Sequence, residues 1–268
     1  MYGAVLGDMI GAPYEFDRGN KSKEFELFDR RKGVRYTDDT AMTLAIAKAL
    51  MDAGKDAGEE ALKRAFVEHM RDIGSRYAQG NYGGRFSQWL TAPDPKPYGS
   101  WGNGSAMRVS SVGWFFDTLE RTREVAKWSA EVTHNHPEGV KGAECVASAI
   151  FLLRNGAGKD EVKRYICEEY GYDLSRTCDE IRPTYYHVES CQETVPEAVT
   201  SFLEGTDFED CIRTAVSLGG DCDTLTCITG SLAEAFYGVP ESFKKECEDR
   251  LPWEFLDILH RFHEAVGR

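Results

Sequence analysis

The segment Thr40–Ala53 (TAMTLAIAKALMDA) is apolar on nearly every side, and it constrains the chain more than any other feature. Helical spacing without a polar stripe describes a helix buried all round, which needs other elements packed about it. The rest of the sequence supplies helices. Apolar residues recur at helical spacing over Glu59–Asp72, Ser105–Thr118, Arg123–Val132, Pro137–Arg154 and Asp160–Glu169. The same holds for Pro196–Leu203, Phe208–Ser217, Thr224–Tyr237 and Trp253–Val266. Several of these begin at Ser, Thr, Asp or Pro and stop at Gly, as capping chemistry predicts. Period-two alternation is scarce, and Tyr185–Val188 is the best strand candidate. The expectation is an all-α fold, one compact domain over residues 1–268, with loops over Phe16–Tyr36, Gln79–Asn103 and Tyr170–Thr194.

Composition narrows the functional class. With 41% hydrophobic and 29% charged residues the chain is globular rather than disordered. The net charge of −13 repels bare phosphate backbones and speaks against general nucleic-acid binding. No basic leader opens the chain, and no run approaches the ~18 apolar residues of a membrane span. All eight cysteines lie in the second half and none is spaced C-x-x-C. Reduced thiols in a cytoplasmic protein, and no zinc knuckle, are expected. A monomer is expected too, since a bulky substrate must reach the cleft.

Two short stretches carry most of the chemistry. Thr37-Asp38-Asp39-Thr40 stands directly before the buried helix. Alone, such a box caps a helix and complements its dipole. Gly219-Gly220-Asp221-Cys222-Asp223-Thr224 repeats the pattern of acid, acid and hydroxyl before Leu225–Tyr237. If the two helices pack side by side, four carboxylates meet in one cleft, which is costly unless cations neutralise them. Asp and Thr oxygens suit hard ions such as Mg²⁺ or Mn²⁺, and two metals accommodate so many ligands.

Three further features are weaker by themselves. Gly99-Ser100-Trp101-Gly102-Asn103-Gly104 runs into Ser105-Ala106-Met107-Arg108, a glycine loop before a helix that would offer N–H groups to an anion. It matches neither the dinucleotide fingerprint nor a P-loop. Thr133-His134-Asn135-His136-Pro137 places two histidines at a helix start, where stacking or hydrogen bonding to a substrate is the sharper expectation. Gly3, Gly7 and Gly11 recur every four residues on one helical face, which permits close helix packing, and Glu15 follows where a long loop departs.

Taken in order, Gly7-Asp8 with Glu15, the T-D-D-T box, G-S-W-G-N-G-S-A-M-R, T-H and G-G-D-x-D-T resemble the ADP-ribosylglycohydrolase family, from Gly3 to about Gly238. The resemblance implies a compact orthogonal helical bundle with a dinuclear Mg²⁺ centre. By motif match, Thr37, Asp38, Asp39, Asp221, Asp223 and Thr224 would be metal ligands. Glu15 would be a mobile acidic residue over the site. Gly99, Ser100, Trp101, Gly102 and Asn103 would hold the diphosphate and ribose, and His134 would bind ADP-ribose as well. The implied reaction is hydrolysis at C1″ of an ADP-ribosyl group on a protein or small-molecule acceptor, arginine favoured over serine. Asp38, Asp39 or Glu15 would act as general acid or base. The rivals are a two-metal phosphohydrolase and a non-catalytic ADP-ribose-binding protein, and the family also contains members that became structural proteins of the lens.

Overall fold

Helical periodicity becomes helix along nearly the whole chain in the computed structural model, which describes residues 1–16, 21–78 and 81–267. Residues 17–20 and 79–80, parts of two expected loops, lie outside the described residues. The first helices are α1 (Tyr2–Gly11), α2 (Asp38–Ala53), α3 (Glu59–Arg76), α4 (Gly84–Thr91) and α5 (Gly104–Met107). Then come α6 (Ser110–Phe115), α7 (Leu119–Glu131), α8 (Pro137–Arg154), α9 (Lys159–Tyr170) and α10 (Cys178–Ile181). The last are α11 (Cys191–Glu204), α12 (Phe208–Leu218), α13 (Cys222–Tyr237), α14 (Glu241–Glu248) and α15 (Trp253–Ala265). The described residues contain no strand, only an isolated antiparallel bridge between Gly102 and Ser190. The fold is all-α, and no described helix is long and apolar enough to cross a membrane. All eight cysteines are free thiols.

Two helices form the centre. In α13 every residue from Cys222 to Ala235 is buried, and α2 is buried from Asp39 to Ala47. The glycines of α1 explain how a third buried helix fits. A Cβ at Gly3 would lie 2.1 Å from the Gly230 carbonyl oxygen, one at Gly7 2.1 Å from that of Thr226, and one at Gly11 2.4 Å from that of Cys222. Three turns of α1 thus lie backbone against backbone on α13, as the four-residue glycine spacing predicts. The main neighbour of α13 is therefore α1, while α2 touches α13 only sparsely. The two acid boxes therefore meet without extensive packing of their helices on each other.

Other departures from the sequence reading have local causes. The single helix expected over Ser105–Thr118 breaks into α5 and α6 at Arg108-Val109, where the fully buried Arg108 side chain is drawn toward α7 and its C-terminal turn. Thr118 belongs to the next helix, as an N-cap whose hydroxyl accepts from the Arg121 N–H. Pro196 does not start α11. The helix begins at Cys191, whose N–H donates to the Trp101 carbonyl, and runs through the proline. The same pairing, with the Asn103 N–H on the Glu189 carbonyl, leaves Tyr185–Val188 outside any strand. Three helices were absent from the sequence reading: α4, the four-residue α10 and α14.

Candidate active site

Asp8 joins the centre of the bundle to the cleft. It lies on α1 next to Gly7, wholly buried. Its carboxylate accepts from the Thr37 N–H at 2.9 Å and hydroxyl at 2.7 Å, from the Thr40 N–H at 3.1 Å and from the Thr40 hydroxyl. A buried charge is tolerable only when so satisfied. The bonds also seat the N-terminus of α2, where Thr37 caps the helix by accepting from the Asp39 N–H. Burial raises the Asp8 pKa, and the four donors oppose it.

The T-D-D-T box and the G-G-D-x-D-T box then meet around Asp8. Ligand-type oxygens of Asp8, Asp39 and Asp223 lie within 4.8 Å of one another, and so do those of Glu15, Asp221 and Asp223. Asp223 belongs to both groups. One oxygen of Asp39, Oδ1, is buried with no hydrogen-bond partner. Asp221 accepts from the Asn103 side-chain amide at 2.6 Å, and Asp223 from the Thr224 N–H at 3.0 Å. Burial first, then the neighbouring carboxylates, push Asp38, Asp39 and Asp223 well above the usual carboxylate range. Burial drives Asp221 to about 7. Carboxylates this close, with a bare buried oxygen among them, could hold a hard cation. Asp38, Asp39, Asp221, Asp223 and Thr224 all face the cleft; Thr37 lies behind it, with its hydroxyl donated to Asp8.

The cleft has a volume of about 500 Å³, ample for a nucleotide-sized ligand. The carboxylates form its floor, with Ser100, Gly102, Asn103, Gly104 and His134 on one side and Tyr82, Arg85 and Phe86 on another. Glu15, Phe16, His187 and Glu189 stand at its margin. The glycine loop is less of an anion nest than its sequence suggests. Its N–H at Gly99 donates to the Asn135 side chain, that of Gly102 to the Ser100 hydroxyl and that of Asn103 to the Glu189 carbonyl. The helix behind it, α5, is a single turn and contributes little dipole. The N–H groups of Ser100 and Trp101 have no partner among the described residues, and the Trp101 indole is 49% exposed, edge-on to His136. Gly99 and Trp101 border the cleft rather than line it. His136 is spent as the N-cap of α8, accepting from the Glu138 N–H.

Sequence reasoning assigned no role to Asp8, Tyr82, Arg85, Arg108 or Glu189. Asp8 carried a signal: an acid inside an otherwise apolar helix, beside the glycine that lets the helix approach its neighbour. The cleft face of α4 carried none, because its residues precede a Pro-rich stretch and show no long period.

Comparisons with known proteins show the family. The model of the ADP-ribosylglycohydrolase family matches residues 1–267. The ADP-ribosylhydrolase ARH3 of Mus musculus is 28% identical over 330 residues, covering 96% of this chain and 88% of that protein. The ADP-ribosylarginine hydrolase Tri1 of Pseudomonas putida (strain GB-1) is 27% identical, covering 94% and 73%. An uncharacterized protein of Archaeoglobus fulgidus is 32% identical, covering 96% and 92%. A solved ADP-ribosylglycohydrolase-related protein complex shares the fold, with a TM-score of 0.66 at 22% identity over 99% of this chain and 92% of that one. With a family model matching residues 1–267, the chain belongs to the ADP-ribosylglycohydrolase family of hydrolases.

Proposed function

We propose that this chain hydrolyses the glycosidic bond at C1″ of an ADP-ribosyl group carried by a protein or small-molecule acceptor and releases ADP-ribose. The observation that carries this reading is the convergence of Asp39, Asp221 and Asp223 in the cleft that Ser100, Gly102, Asn103 and His134 wall, with buried Asp8 beneath them and Glu15 at the margin. The names of ARH3 and of Tri1 point the same way.

The residues fit a divalent cation. Asp39 has a bare buried oxygen, and Asp223 belongs to two oxygen groups, so two ions, Mg²⁺ or Mn²⁺, would be held by Asp38, Asp39, Asp221, Asp223 and Thr224. Thr37 would complete the set as the resemblance implies, and Asp8, bonded to Thr37 and Thr40, orients it. Bound ions supply the positive charge that keeps these carboxylates ionised together and a Lewis acid for ribose hydroxyls and water. The chain's own groups do the rest. The Gly99–Asn103 loop and His134 bind the diphosphate and its ribose, leaving C1″ over the carboxylates. Positive charge that develops at C1″ and the ring oxygen is stabilised by the acidic floor. Glu15, at the margin and half-exposed, is placed to exchange a proton with the leaving group or the attacking water, with Asp38 or Asp39 as its partner.

Arginine is the favoured acceptor. Glu15 and Glu189 both add negative potential at Asp221, so the mouth of the cleft attracts a guanidinium. Turnover of arginine-linked and serine-linked ADP-ribosylated peptides, compared at equal concentration with Mg²⁺, tests the linkage. Faster release from the arginine peptide is expected; release from the serine peptide alone would reverse the preference.

A further inference from the structure

A buried cation without an acid beside it lies in the wall of the cleft. Arg108 is 1% exposed, and no carboxylate among the described residues pairs with it. Burial lowers its pKa to about 10, so it remains charged at neutral pH. Its Nη2 donates one hydrogen to the Ser129 carbonyl and one to the Thr133 hydroxyl oxygen, each at 2.8 Å. A guanidinium can only donate, so Thr133 Oγ1 is an acceptor here. The threonine keeps one proton of its own to give. Two acceptors lie near it, His134 Nδ1 at 2.7 Å and the Ala130 carbonyl at 3.5 Å. The Ala130 carbonyl already accepts from the Thr133 N–H at 3.0 Å and the His134 N–H at 2.7 Å, so the hydroxyl is donated to His134, and a charged donor on its oxygen makes it a stronger donor in turn.

We propose that Arg108 is a positioning residue which, through Thr133, holds His134 as the Nε2–H tautomer, so that the ring offers one neutral N–H donor to an anionic oxygen of the ligand. With Nδ1 accepting, the ring proton sits on Nε2. That atom faces the glycine loop: Cβ atoms built on Gly102 and Gly104 would lie 3.4 Å and 3.2 Å from it, and no described residue bonds it. The missing side chains at 102 and 104 keep the approach open. Burial, and then the charges of Arg108 and Arg85, hold the imidazole well below its ordinary pKa, which keeps it neutral. The Tyr98 ring, 5.9 Å from that of His134, and the bond from the Tyr98 N–H to the Thr133 carbonyl steady this turn of chain. The ligand class, an ADP-ribosyl diphosphate, rests on the function proposed above; the tautomer does not.

Long-range ¹H–¹⁵N spectra of the His134 ring read the tautomer directly, and calorimetric titration with ADP-ribose reads its consequence. In the unsubstituted protein and in Thr133→Ser, which keeps the hydroxyl, the Nε2–H form and full affinity are expected. In Thr133→Val the Nδ1–H form becomes populated and the Kd for ADP-ribose rises roughly 10- to 100-fold, the loss of one hydrogen bond to a charged group. Arg108→Lys, which lacks the guanidinium fork, shifts the same spectrum if it folds; the threonine pair decides the matter if it does not. An Nδ1–H tautomer in the unsubstituted protein, or a cooperatively folded Thr133→Val with spectrum and affinity unchanged, would overturn the proposal. An Nε2–H tautomer in a protein that fails to bind ADP-ribose supports the role of Arg108 and overturns the ligand assignment.

Discussion

Replacing Gly7 with alanine tests whether the contact between α1 and α13 is as close as the structure has it. The new Cβ would lie 2.1 Å from the Thr226 carbonyl oxygen, 2.5 Å from its carbon and 2.7 Å from the Cys227 nitrogen. All three are backbone atoms, so no side chain can swing aside. To reach ordinary contact near 3.4 Å the helices must part by about 1.3 Å, which loosens the packing of Val5, Leu6 and Ile10. Overpacking of a well-filled core costs ~1–3 kcal/mol, and an unyielding backbone neighbour places this case at the upper end. About 3 kcal/mol corresponds to a fall in Tm of roughly 6–12 °C for a chain of this size. Asp8 rides on α1 and Asp223 on α13, so the same displacement separates two carboxylates of one group and weakens cation binding. Thermal melts with and without Mg²⁺ read both effects. Gly58→Ala is the control: nothing lies within 4 Å of its Cβ, and a change of about 1 kcal/mol or less is expected. A Gly7→Ala protein that melts within about 2 °C of the parent, with its Mg²⁺ response intact, would refute the reasoning.

Asp39→Asn relieves a crowded acidic floor, so the metal-free protein should keep or gain stability while the stabilisation by Mg²⁺, about 2.7 kcal/mol at 100 times Kd for one site and read as a rise in Tm, disappears along with turnover. Trp101→Ala should raise KM for the ADP-ribosyl substrate roughly 5- to 100-fold with kcat and Tm nearly unchanged, because the ring is half-exposed and contributes by stacking on the nucleotide. The Arg76 and Tyr77 side chains hydrogen-bond Glu254 and hold its pKa below the usual range, tying α15 to α3. The unfolded chain therefore takes up this proton first, and the contribution, full above pH ~4.3, is lost as pH falls through the lower folded value. Glu254→Gln should flatten the Tm profile between about pH 5 and 3 without changing kcat.

Much of the site was legible because its chemistry is concentrated in short boxes. Two acids and a hydroxyl ahead of a buried helix, met twice, pointed to convergence, and the glycine spacing of residues 3, 7 and 11 pointed to a helix lying close on another. What the boxes did not disclose was which helix lay there. Asp8 reads locally as one acid in an apolar segment, and its task emerges only when Thr37 and Thr40, distant in sequence, donate to it. The start of α11 was misplaced for a related reason. Proline is a local signal for a first turn, but the bond from Cys191 to Trp101 is tertiary and seats the helix five residues earlier. Arg108 seemed an ordinary helical residue, although its burial breaks the helix it was expected to extend.

The central claim is that the carboxylate floor, loaded with a divalent cation, cleaves a glycosidic bond and leaves the diphosphate whole. Mass spectrometry of the products from an arginine-linked ADP-ribosylated peptide, with Mg²⁺ and again with excess EDTA, tests it most directly. Intact ADP-ribose and unmodified peptide in Mg²⁺, with neither in EDTA, are the expected result. AMP or free phosphate as the first product would make the chain a phosphohydrolase, and tight binding of ADP-ribose without turnover in Mg²⁺ or Mn²⁺ would make it a binding protein; either would contradict the account.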